Sequence, residues 1–206
     1  MVHSYFYYTE SPEKCKHNPY FGLDIAKFGI FGYNTEDHVK GGDAVLVINH
    51  RDILPGEGHA AGRSLLKEMV ETISHEPMPK ILTGSRGKPY FETGDLHFSI
   101  THTKHHVFCA VSDRPVGIDA EELDREVPAK LIPKILSPFE LAQYEEAGQQ
   151  PLALLKLWVL KEAYLKYLGT GINGWPNHTN FSLDDPRVTE QYGCLVAVAQ
   201  EEDYAL

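Results

Sequence analysis

The sequence predicts an α+β fold in which helices pack on antiparallel sheet, and three observations carry that prediction. Apolar residues recur at helical spacing across residues 59–74. Three short apolar runs follow one another between residues 96 and 119. Residues 152–168 are apolar around most of a helical circumference.

Taken in order, residues 1–43 mix aromatics with Gly and Asn in no regular period, and no element is assigned to them. The run Ala44-Val45-Leu46-Val47-Ile48, flanked by turn formers, reads as a strand. Ala60, Leu65, Leu66, Met69, Val70 and Ile73 define one amphipathic helix over 59–74, ended by Pro77 and Pro79. Runs at 96–102, 107–111 and 116–119 predict three adjacent strands in a meander. At Ser137-Pro138-Phe139-Glu140, Ser is placed as N-cap, Pro at the first helical position and Glu at the capping-box position, so a helix starts there. A longer helix over 152–168 is closed by Gly169 and Gly171. Terminal strands are expected at 181–183 and 194–198. No tandem repeat or low-complexity tract interrupts the pattern.

Composition narrows the function classes. The chain has 206 residues, 42% of them hydrophobic and 11% aromatic, enough to bury a substantial core. Its net charge of −10 argues against generic nucleic-acid binding, which needs a basic face. No apolar run approaches the roughly 20 residues that span a bilayer, and the first residues lack a basic and then apolar leader, so a cytoplasmic location and no membrane partner are expected. Cys15, Cys109 and Cys194 are an odd number, widely spaced, and read as reduced thiols; Cys109, within an apolar run, is expected to be buried and inert.

Asp119 and Glu121 stand two apart at the end of an apolar strand, which puts both carboxylates on one face where they could hold a hard cation such as Mg²⁺. Glu122, Asp124 and Glu126 follow, so on this pair alone a solvated acidic strand end is the plainer reading. In the long helix, Glu162 and Lys166 lie i, i+4 on one stripe, with Lys161 turned about 100° away. A narrow polar stripe on so apolar a helix suits a shared site better than a wet ion pair. Of the eleven histidines, His105 and His106 read as a solvated pair in a turn, because no third ligand has suitable spacing. Trp158 and Trp175 read as packing residues or, for Trp175, a loop anchor.

The segment Gly117-Ile118-Asp119-Ala120-Glu121, followed some forty residues later by Trp158-Val159-Leu160-Lys161-Glu162-Ala163-Tyr164-Leu165-Lys166, resembles the two signature motifs of 4′-phosphopantetheinyl transferases. Arg86-Gly87-Lys88-Pro89, the run 98–103 and Ala61-Gly62-Arg63 resemble further elements of the larger, monomeric, surfactin-synthetase-activating (Sfp-like) class. The likeness runs in order over about 60–183. Thr101, Ser99 and Ala120 depart from the usual Ser, Asn and Ile, and none of the three removes a catalytic group.

This resemblance implies a fold of two similar α+β lobes forming a pseudo-dimer within one chain, residues 1–112 and 113–206, the second lobe carrying the metal site. It implies an enzyme that moves 4′-phosphopantetheine from coenzyme A to a serine of an apo carrier protein, releasing adenosine 3′,5′-bisphosphate. Asp119 and Glu121 would bind Mg²⁺, Glu162 would complete the site or deprotonate the acceptor, and Lys166 would contact the phosphates. Lys88, Thr101, His102 and Arg63 would bind the adenosine 3′-phosphate end of coenzyme A. Two other classes share these residues: a phosphotransferase or hydrolase using the same carboxylates, and a non-catalytic relative that binds coenzyme A or a carrier protein. The intact set Asp119, Glu121, Glu162 and Lys166 weighs against the last.

Overall fold

A computed structural model describes residues 46–171 and 179–200. Residues 44 and 45 of the first expected strand, Cys15 and Trp175 lie outside the described residues. Strand β1 (Leu46–Asp52) leads to helix α1 (Gly58–Ser74), a short hairpin of β2 (Ile81–Thr83) and β3 (Pro89–Phe91), then β4 (His97–His102) and β5 (His106–Ser112). After β6 (Val116–Glu122) come a 3₁₀ turn at Ala129–Leu131 and the short helix α2 (Ile132–Ile135). Helices α3 (Pro138–Glu146) and α4 (Pro151–Leu168) and strands β7 (Val188–Gln191) and β8 (Cys194–Gln200) complete the order. The mixed helix and strand content agrees with the expected α+β class.

The longer strands form two antiparallel sheets, ordered β1-β5-β4 and β6-β8-β7. Within each sheet the last strand in sequence occupies the middle, and a helix lies between the first strand and the second. The expected meander therefore stops at β5. Both edges of β5 are taken, by β1 and β4, so β6 cannot pair with the strand before it and opens the second sheet instead.

Period-two alternation sorts the core into layers. Val47, Val107, Cys109 and Val111 face α1, where Leu65, Leu66, Met69, Val70 and Ile73 supply the buried stripe. Leu46, Ile48, Phe108 and Ala110 face the opposite way and meet Val116, Ile118, Ala120, Cys194, Val196 and Val198 of the second sheet. The outer face of that second sheet, through Leu195, Ala197 and Ala199, packs on Leu154, Leu155, Leu157, Leu160 and Ala163. The result is helix, sheet, sheet, helix.

Two local features seat α4. Gly117 faces the helix, and a Cβ there would run into the Ala163 carbonyl oxygen and the Tyr167 amide nitrogen, both backbone atoms that cannot turn aside. On the other side of the helix Lys161 is wholly buried, its Nζ 2.8 Å from Glu140 Oε2, which is buried as completely. Burial draws the lysine below its ordinary range and the glutamate beside it opposes that shift. The same carboxylate closes the expected capping box on Ser137 and also accepts the Phe181 N–H at 3.0 Å.

The second of these features corrects an expectation. Residues 181–183 form no strand: Gln143 accepts from the Leu183 N–H and donates to the Phe181 carbonyl, so α3 side chains satisfy backbone groups that a ladder would otherwise hold. The strand lies later, at Val188–Gln191.

Two stability measurements follow. Lys161→Met leaves the Glu140 charge buried without its ammonium and should cost about 3–5 kcal/mol in urea unfolding, while Glu140→Gln/Lys161→Met should recover part of that loss. Additive effects in the double variant would show the pair to be uncoupled. Gly117→Ala should cost about 3 kcal/mol or more, because backbone must move to admit the methyl; a midpoint equal to wild type would contradict the close approach.

Candidate active site

Strand β6 buries Val116, Ile118 and Ala120 between the sheets, so the alternate residues Gly117, Asp119 and Glu121 face α4. The shared face expected for the two carboxylates is therefore real. Asp119 is only 5% exposed. Its Oδ1 accepts from Lys166 Nζ at 2.7 Å and from Thr101 Oγ1 at 3.0 Å. Its Oδ2 is buried with no hydrogen-bond partner.

Strand β4 runs alongside β6 and is stitched to it by side chains. The Ser99 hydroxyl accepts the Ile118 N–H, Thr101 reaches Asp119, and Thr103 donates to Glu122 at 2.8 Å. The hydroxyls at 99 and 101 thus place the acidic strand against β4, a role that Ser or Thr fills alike.

Glu162, four residues before Lys166 on α4, joins the same field. Burial first and then Asp119, with a smaller push from Glu121, raise its carboxyl to about 7 against the pull of Lys166. Glu121 is raised as well, by burial first and then Asp119, against the pull of Arg125, the Trp158 indole and Lys166. Three carboxylates therefore crowd one another around a single ammonium. They are not drawn together as tightly as His50, Asp52 and His106, the one group of His, Cys, Asp or Glu among the described residues whose ligand atoms all lie within 4.8 Å.

A cleft of about 440 Å³ opens beside this acidic wall. Its lining includes Gly58, His59 and Arg63 at the start of α1, Thr101 and His102 at the end of β4, Asp119 and Glu121 on β6, and Lys166 on α4. The lining thus combines Arg63 and the first turn of α1 with the carboxylates of β6. Gly58 lets this helix start close against His102, since a Cβ there would strike the imidazole, and the His59 and His102 rings meet edge to face at 5.1 Å.

Six of the eight residues expected in the site line this one cleft: Arg63, Thr101, His102, Asp119, Glu121 and Lys166. Glu162 is coupled to them electrostatically. Lys88 stands apart, because its Nζ donates to the Tyr167 carbonyl at 2.8 Å and to the Val116 carbonyl at 3.2 Å, tying the end of α4 to the start of β6. Only its neighbour Pro89 reaches the lining.

Other expectations also meet the structure here. Trp158 packs on the α4 core, yet its indole also serves Glu121, a polar role that an apolar run does not signal. His106 is not a solvated turn residue: it opens β5 and contacts both Asp52 and His50. Cys109 and Cys194 are free and buried, and burial lifts both thiols, Cys194 to about 11, so neither is a ready nucleophile. Among the described residues no helix is long and apolar enough to cross a membrane.

Comparison with known proteins matches residues 115–204 to the family described as the 4′-phosphopantetheinyl transferase superfamily. The chain is 31% identical over 115 residues to 4′-phosphopantetheinyl transferase gsp of Aneurinibacillus migulanus, covering 54% of this chain and 48% of that protein. It is 33% identical over 90 residues to a 4′-phosphopantetheinyl transferase of Bacillus subtilis (42% and 40% covered). Over 123 residues it is 34% identical to 4′-phosphopantetheinyl transferase psf-1 of Bacillus pumilus (55% and 52% covered). The chain therefore spans about half the length of the curated relatives it matches. The matched segment holds both the strand bearing Asp119 and Glu121 and the helix bearing Glu162 and Lys166, so the likeness to the 4′-phosphopantetheinyl transferase superfamily falls on the acidic side of the cleft.

Proposed function

We propose that this protein transfers 4′-phosphopantetheine from coenzyme A to a serine hydroxyl of an apo carrier protein, releasing adenosine 3′,5′-bisphosphate, with Mg²⁺ as cofactor. The observation that carries the reading is the cleft that brings Arg63 and His102 together with the carboxylates Asp119 and Glu121 and with Lys166. A phosphate-bearing ligand that arrives with a metal cation suits such a site. The proposal extends to two pseudo-symmetric lobes, 1–112 and 113–206, a monomer, and a cytoplasmic location. The repeated strand order of the two sheets supports the lobes.

The donor set fits a hard dication. Asp119 Oδ2 is buried and unpartnered, and Glu121 and Glu162 are both raised by burial and by their acidic neighbours, a repulsion that a cation relieves. Asp119, Glu121 and Glu162 would hold Mg²⁺, which supplies charge neutralisation on the pyrophosphate. The chain's own residues do the remainder. Lys166 lies at the cleft as a point charge for phosphate oxygens, and Arg63 and His102 are placed to hold the nucleotide. Glu162, raised to about 7, is matched to taking a proton from the incoming serine, directly or through a water. Phosphoryl transfer asks little else beyond positioning.

Three measurements test this. Labelling of an apo carrier protein with a fluorescent pantetheine analogue of coenzyme A should fall about 10²–10⁴-fold in Glu162→Gln. Wild-type labelling in that variant would overturn the role of Glu162, and turnover of coenzyme A without labelling would point to a hydrolase. Excess chelator should abolish labelling and added Mg²⁺ restore it; full activity in chelator removes the metal from the reading. The third test concerns metal-free protein. A carboxyl raised from 4.5 to about 7 on folding stabilises the fold fully below its unfolded value, and that contribution is lost as pH rises through about 7. Thermal stability should thus decline between about pH 5 and about pH 8, and Glu162→Gln should flatten the decline. An identical slope in the variant would show that Glu162 is not strained by its neighbours.

A further inference from the structure

Away from the cleft, three side chains converge at one end of the first sheet. His50 and Asp52 are two apart on β1, and the register sets Asp52 opposite His106 and His50 opposite Phe108. All three therefore project from one face of the sheet. His50 Nε2 lies 3.0 Å from His106 Nδ1, His106 Nδ1 lies 3.1 Å from Asp52 Oδ1, and His50 Nε2 lies 3.3 Å from that same oxygen.

Hydrogen bonds cannot satisfy this triangle. If both facing ring nitrogens carry a proton, each can donate to the carboxylate, but two donors then oppose each other across the 3.0 Å edge. If one nitrogen donates to the other, the accepting nitrogen turns a lone pair on the carboxylate oxygen. One edge is repulsive in every tautomer. A cation at the centre makes all three atoms acceptors toward a single point. Ligands held about 2.0–2.1 Å from a tetrahedral ion stand about 3.3 Å apart, close to the observed edges.

We propose that His50, Asp52 and His106 form a second metal site, for a borderline transition-metal dication with Zn²⁺ as its occupant, distinct from the carboxylate site of the cleft. Two imidazoles and one carboxylate select zinc-like ions over Mg²⁺, which takes oxygen ligands. Asp52 is 83% exposed while His50 and His106 are largely covered, so the fourth position faces solvent and water fills it. The histidines are held in place: the Tyr192 ring stacks on His50 at 3.8 Å and 11°, and Phe108 packs against it at 4.8 Å. Tyr192 belongs to the β7–β8 turn, so an ion here braces the second sheet against the first.

The test is calorimetric titration of Zn²⁺ into tag-free, chelator-treated full-length protein, with thermal denaturation alongside. Zn²⁺ should bind and raise the midpoint, and excess Mg²⁺ should not displace it. His50→Ala and His106→Ala should each weaken Zn²⁺ binding about 100-fold or more, since even outer-shell partners cost 10–100-fold. Asp52→Asn, at an exposed position, should weaken it at least about tenfold and serves if a histidine variant fails to fold by far-UV circular dichroism. Absence of Zn²⁺ binding, or unchanged affinity in folded His106→Ala and Asp52→Asn, overturns the proposal.

Discussion

At Gly117 the backbone of β6 meets the backbone of α4 with no side chain between them, and the site is built outward from that contact. The two atoms it faces belong to Ala163 and Tyr167, one turn apart. The residues just before them are Glu162 and Lys166. Two positions along β6 from Gly117 stands Asp119, on the same strand face. A spacing of two on the strand and four on the helix therefore converts one close approach into three functional groups near one point. The Lys166–Asp119 pair at 2.7 Å records how near. A larger residue at 117 would lift the helix and open that distance before touching any reacting group.

Seating fixes the depth of α4 but not its rotation. A helix that is apolar over nearly its whole surface gains similar burial at many rotations, so its hydrophobicity gives little register. Lys161 supplies it. Buried against Glu140, which is itself bound to the Ser137 and Phe181 N–H groups, the ammonium has one acceptable position. Neighbouring Glu162 is then held about 100° around the axis, toward β6. The two adjacent charges of this helix thus have separate tasks, Lys161 setting orientation and Glu162 serving the cleft.

Features that obey one local period were legible in the sequence. The shared face of Asp119 and Glu121, the stripe of Glu162 and Lys166, and the capping box at Ser137 and Glu140 each follow from strand or helix geometry alone. What escaped depends on register between distant segments. His106 finds Asp52 and His50 only because β1 pairs antiparallel with β5 across more than fifty residues, so no sequence spacing announces the cluster. Phe181 read as a strand because it is apolar, whereas its backbone is held by carboxylate and amide groups of α3. The end of the expected meander was hidden for a similar reason, since a strand run does not reveal which of its neighbours already have both edges taken. Lys88 shows the opposite case: its sequence context suggests a phosphate ligand, while its ammonium sits on the carbonyls that join α4 to β6.

The charge balance of the molecule gives the cleft its selectivity. A chain with net charge −10 repels anions at long range, so an anionic ligand is held by local field or not at all. That field comes from a lining in which Arg63, Lys166 and the start of α1 share one small cavity with Asp119 and Glu121. An anion there meets carboxylates as well as cations, so it is held best where a metal cation accompanies it.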